Sequence, residues 1–153
     1  MEARAAPEQG GDMIEGTTIE DIPVGLQARF SKTVGESDVY LFAGITGDLD
    51  PNHVDEEYCK STPFGHRIAH GALIVGYMST ASTRVLEGFG RPVVSLGYDR
   101  VRFVKPVLIG DTVTISYEIV ERDLERQCTI ARVEATNQRG ETVAVATHLQ
   151  KVL

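Results

Sequence analysis

The sequence has no tryptophan, only two cysteines, and no apolar run approaching the roughly 20 residues that a membrane-spanning helix needs. Cys59 and Cys128 stand in unrelated contexts, too few and too far apart for a disulfide framework or a zinc set, so reduced thiols in a cytoplasmic protein are expected. The opening residues, rich in Ala, Glu and Gly, lack an apolar signal core, and export is not expected. Basic residues are the minority, 15 against 22 acids, for a formal net charge of −7. That excludes a broadly basic nucleic-acid face. It leaves room for a local phosphate-binding patch such as Arg100, Arg102 and Lys105. No internal repeat, HExxH or GxSxG is present, and neither cysteine has a basic neighbourhood, so metalloprotease and Ser/Cys nucleophile chemistry have no support.

What is present suits one soluble domain. The 153 residues, 42% hydrophobic, can bury one core and hardly two. Residues 1–12 carry no periodicity and are expected to be a tail, leaving 13–153 as the domain. A β-compatible stretch spans Val24 to Val34. Ser37 is placed to cap a short helix through Ala43, ended by Gly44 and Gly47. A second short helix is expected around Asp55 to Lys60. From Ala72 to Thr83 the chain reads ALIVGYMSTAST, uncharged on every face, which predicts a helix covered on most sides. Its small residues Gly76, Ser79, Ala81 and Ser82 suit a sheet passing close by. Strands follow over Pro92–Val104 with a bend at Gly97, over 112–119 by strict alternation, and over 127–137 and 142–152 joined by a hairpin at Gln138–Glu141. This order predicts an α+β fold, one curved antiparallel sheet around one helix, with an open sheet bearing helices on one face as the alternative. An uncovered sheet edge predicts pairing with a second copy.

The chemistry concentrates between Gly47 and Gly71. Asp48 precedes His53 by five residues with Pro51 between them, an acid and an imidazole aimed by a stiffened turn. Gly71 opens the uncharged helix, so unpaired backbone N–H groups and the helix dipole favour negative charge there, and glycine lets a ligand approach the backbone. These are the parts for adding water across a double bond conjugated to a carbonyl: a base, an acid and donors for an enolate oxygen. A loose grouping of His53, Asp55, His66 and His70 offers metal ligands, but Gly65 and Gly71 argue against a helix that would align His66 with His70, and no metal is expected.

The run Phe42-Ala-Gly-Ile-Thr-Gly-Asp48-Leu-Asp50-Pro51-Asn52-His53, then Phe64-Gly-His-Arg-Ile-Ala-His70-Gly71, resembles the MaoC-like, (R)-specific enoyl-CoA hydratase family. Phe103, Pro106 and Gly110-Asp111 resemble that family's later strand and turn. The resemblance implies a hot-dog fold, a homodimer, no cofactor, and hydration of trans-2-enoyl-CoA thioesters or the reverse. It implies Asp48 and His53 as the dyad holding water, the Gly71 N–H as oxyanion donor and Ser79 as a hydroxyl that helps position the water. Asp50, Pro51, Asn52, His70, Arg100, Arg102 and Lys105 are candidate substrate contacts. The family signature has asparagine where this chain has Asp50, and an apolar residue where it has Asn52. An acceptor-only carboxylate thus replaces an amide. Two other readings of the same fold are an acyl-CoA-binding or regulatory protein without turnover, and an acyl-CoA thioesterase. Ile74, Tyr77, Met78 and Phe89 are candidate acyl-pocket residues.

Overall fold

The computed structural model describes residues 14–153; the expected tail at 1–12 lies outside them. After a 3-10 turn at Ile19–Asp21 come β1 (Gln27–Thr33), α1 (Glu36–Thr46), α2 (Pro51–Val54), α3 (Glu56–Cys59), α4 (Gly71–Arg84), β2 (Val93–Phe103), β3 (Thr112–Asp123), β4 (Cys128–Thr136) and β5 (Thr142–Val152). The strands form one antiparallel sheet in the order β1-β3-β4-β5-β2, curved around α4 in the hot-dog manner. The open-sheet alternative falls away.

Alternation decides which face of the sheet is apolar. Val113, Ile115, Tyr117 and Ile119 of β3 are buried, as are Ala131, Val133 and Ala135 of β4, and they meet Ile74, Met78 and Ala81 of α4. Each fully buried aliphatic side chain contributes roughly 1.5–3 kcal/mol, so this one layer of contact holds α4 in place. A polar chain crosses the core beneath it. The Ser82 carbonyl can only accept, so Gln150 Nε2 donates to it (3.1 Å), and Gln150 Oε1 accepts from Tyr117 OH (3.1 Å). Tyr117 then accepts from Nδ1 of His148 (2.8 Å), and His148 Nε2 accepts from Ser95 Oγ (2.7 Å). That direction assigns the neutral Nδ1–H tautomer to His148.

The structure corrects several local expectations. Ser37 does not cap α1. Gly35 does, its N–H bonded at 2.9 Å to the Asp38 carboxylate. Gly44 lies inside that helix, which runs to Thr46 and stops at Gly47 with φ 81°. The uncharged helix spans 71–84, yet Ala72, Gly76, Ser79 and Thr83 are exposed. Gly76 has no neighbour within 4 Å of where a Cβ would sit, so it faces away from the sheet. The expected bulge occurs at Gly97, and a second register shift follows between Asp99 and Arg102, with Arg100 at φ 53°.

Candidate active site

The turn carrying Asp48 and His53 connects α1 to α3 and holds a helical turn of its own. Pro51 occupies the first turn of α2, where a missing N–H costs nothing, and the Asp50 carboxylate caps it by accepting the Asn52 N–H at 2.8 Å. The same oxygen also takes the Asn52 side-chain amide at 2.6 Å. Asp50, Pro51 and Asn52 therefore build the turn. The local geometry gives Asp50 a capping job that an asparagine would fill equally well. Asp55 caps α3 in the same way, through the Tyr58 N–H at 2.9 Å.

Residues 67–70 run alongside this turn and fix it. The Ile68 N–H donates to the Asn52 carbonyl (3.0 Å), and the Ile68 carbonyl receives Nδ1–H of His53 at 2.7 Å. A carbonyl can only accept, so the neutral imidazole carries its lone pair on Nε2. His70, 1% exposed, donates from Nε2 to the Asp48 backbone carbonyl (3.0 Å) and stacks on His53 with ring centroids 3.7 Å apart. It is buried against His53 rather than open to solvent. One ring thus supports both members of the pair.

Next to His53 opens a cavity of about 320 Å³, whose lining includes Gly71, Ile74, Phe103, Lys105 and Val107. It is apolar apart from His53 and Lys105, the kind of site that takes an acyl thioester and orients it by few polar groups. The Gly71 amide has no acceptor among the described residues. Glycine makes room here for a neighbour the sequence did not reveal: a Cβ would lie 2.6 Å from the Phe103 ring, which would have to shift. The close neighbour is the chain's own aromatic.

Other predicted site residues are scattered. Ser79 is exposed eight residues along α4, about 12 Å from Gly71 at 1.5 Å per residue. It lines a different cavity, with Ser82, Ser95 and Gln150. Arg100 and Arg102 are exposed on β2, and Lys105 is paired to Glu141 at 2.7 Å. Of the four residues grouped as metal ligands, Asp55 caps α3 and His66 bonds Glu56 (2.8 Å). The set the fold does assemble is Asp48, His53 and His70, with ligand atoms within 4.8 Å of one another. Sequence reasoning missed Arg67, whose guanidinium reaches Glu36, Glu56 and Tyr40. Its one signal was its place within the stretch leading to Gly71.

The chain is 40% identical over 117 residues to an (R)-specific enoyl-CoA hydratase of Rhodospirillum rubrum, covering 76% of this chain and 79% of that protein. It is 39% identical over 126 residues to a 3-hydroxybutyryl-CoA dehydratase of Methylorubrum extorquens, covering 82% and 77% respectively. An unliganded R-hydratase of Pseudomonas aeruginosa superposes with a TM-score of 0.77 at 30% identity, over 88% of this chain and 84% of that one. The model of the MaoC-like domain matches residues 20–141. The chain belongs to the MaoC-like domain family.

Proposed function

We propose that this protein interconverts a trans-2-enoyl-CoA and the corresponding (R)-3-hydroxyacyl-CoA by adding or removing water, with Asp48 and His53 as its catalytic pair. The observation that carries the reading is the approach of these two groups to within 4.8 Å at the head of α4, beside an apolar cavity. Groups that close can hold one water between them with ordinary hydrogen bonds of about 2.8 Å. Hydration begins as that water donates to Nε2 of His53 and to the Asp48 carboxylate. Its oxygen attacks C3 as the pair takes a proton, and the pair returns a proton to C2. Both bonds form on the face where the water sat. Electron density moves onto the thioester oxygen, which the Gly71 N–H and the dipole of α4 stabilise; one such donor is worth roughly 3 kcal/mol. Dehydration runs the same steps in reverse. No step calls for a cofactor, and coenzyme A is part of the substrate.

Lys105, at the cavity, is the candidate for a CoA phosphate, exchanging Glu141 for it, with Arg100 and Arg102 further along β2. Asp50 and Asn52 shape the turn. A cytoplasmic setting belongs to this reading, in keeping with the unpaired, buried Cys59 and Cys128.

The active unit in this reading is a homodimer. The edge strand β2 exposes Val94, Leu96 and Phe103, and α4 exposes an uncharged stripe of Ala72, Gly76, Ser79 and Thr83. In such a dimer Ser79, exposed on that stripe and distant from Asp48 and His53 of its own chain, is a candidate to serve the pair of the second copy.

The test is turnover of crotonyl-CoA, followed by loss of the conjugated enoyl-thioester absorbance. Asp48→Asn and His53→Ala should each lower kcat/KM by at least about 10²-fold; turnover retained in either variant sinks the mechanism. Free thiol released at the rate of substrate loss would indicate a thioesterase instead, and binding without absorbance change a non-catalytic binder.

A further inference from the structure

We propose that Arg67 is a positioning residue for His53, acting through the carbonyl of its neighbour Ile68; this rests on the dyad reading above. The turn that carries Asp48 and His53 is a bridge between two helices, and Arg67 ties the starts of both. Its Nη2 and Nη1 reach the two carboxylate oxygens of Glu36 on α1 at 2.5 and 3.4 Å. Its Nε meets Glu56 of α3 at 3.3 Å, and its backbone N–H meets the same Glu56 oxygen at 3.1 Å. Nη1 also donates to Tyr40 OH at 3.0 Å. Its side chain is 14% exposed, far below the 58% of Glu36 and the 38% of Glu56. A planar fork with several partners and little freedom is a spacer that a lysine point charge cannot reproduce. Hydrogen bonds from His66 and from the Arg67 amide hold Glu56 below the usual carboxylate range, so the clamp persists through neutral pH.

The consequence falls one residue on. The segment 66–70 belongs to no long strand; besides the Arg67 contacts it is held by the bridge from Ile68 to Leu108, by the Ala69 N–H to the Val107 carbonyl, by His66 on Glu56 and by His70 on the Asp48 carbonyl. The Ile68 carbonyl follows directly on the Arg67 fork and shares the hold on the turn with the Ile68–Asn52 and His70–Asp48 bonds; it sets the direction of Nε2 by holding Nδ1 at 2.7 Å. Misplacing a reacting group by about 1 Å can cost ~10²-fold in rate.

The experiment compares Arg67→Met and Arg67→Lys with the unaltered protein and with His53→Ala, using crotonyl-CoA from pH 5 to 9 and a thermal melt of each. Arg67→Met should lower kcat about tenfold with KM changed less than about twofold. Arg67→Lys should recover part of kcat. An Arg67→Met protein with wild-type kcat overturns the proposal, as does a kcat loss that only tracks a fall in Tm. If Arg67→Met fails to fold, the Glu36→Gln, Tyr40→Phe pair removes the outer anchors alone and must give the same split between kcat and KM; unchanged kcat there overturns it too. Turnover surviving in His53→Ala would instead fault the dyad reading, so the two failures are distinguishable.

Discussion

His148 should make this protein's stability depend on pH in a window where its acids do not. The side chain is 0% exposed, and burial pushes its pKa from 6.5 down to about 4. The folded state keeps it neutral between Tyr117 and Ser95, while the unfolded chain takes up a proton as pH falls through 6.5. Between these values the unfolded state binds more protons, so stability rises with pH across the window and falls as acid is added. From pH 8 to pH 5 the loss attributable to this one group is about 2 kcal/mol, approaching about 3 kcal/mol below pH 4. The assay is urea unfolding at fixed protein concentration, at pH 8, 6 and 5, on the protein and on His148→Gln. Glutamine can still accept from Ser95 and donate to Tyr117, but it does not titrate. Carboxylate titrations are shared by both proteins and cancel in the difference. The unaltered protein should lose about 2 kcal/mol more than the variant over this range, or about 4–8 °C in Tm at ~2–4 °C per kcal/mol for a chain of this size. Parallel pH curves for the two proteins would refute the assignment of a neutral, buried His148.

Two further outcomes bear on the site. Gly71→Ala should leave the fold intact but drive the 54%-exposed Phe103 ring into the cavity it shares with His53, lowering kcat/KM. Phe103→Ala in the same chain should restore part of the loss, and an unchanged kcat/KM in the single variant rules out that steric account. Light scattering should give the mass of two chains, and Leu96→Lys on β2 should give that of one while lowering turnover as Ser79 leaves the other copy's dyad. A monomer with full activity would remove the shared-site proposal.

Some of the site was legible because it rests on covalent spacing. Asp48, Pro51 and His53 lie within one turn whatever surrounds them, and a helix opening at Gly71 presents bare N–H groups wherever it packs. The strands of the second half were legible for a similar reason, since the alternation at 112–119 allows only one side of the sheet to be buried. The short elements were harder. Gly44 reads as a helix stop, yet the contacts of Val39 and Ala43 with the core outweigh the local preference of one glycine of about 1 kcal/mol. The helical turn at Pro51–Val54 was hidden because proline stiffens a loop and starts a helix with equal ease.

Residue types and their spacing alone account for the kinds of group available, an acid, an imidazole and a helix N-terminus, together with an uncharged helix too apolar to stand alone. What holds them in place comes from long-range packing. His70 stacks under His53, Ile68 sets its tautomer, Arg67 spaces the flanking helices, and Phe103 explains Gly71; each contact joins residues at least 15 apart in the chain, or depends on one that does. No periodicity or local propensity encodes such pairs. They exist because curling the sheet around α4 brings the 67–70 segment against the turn between α1 and α3.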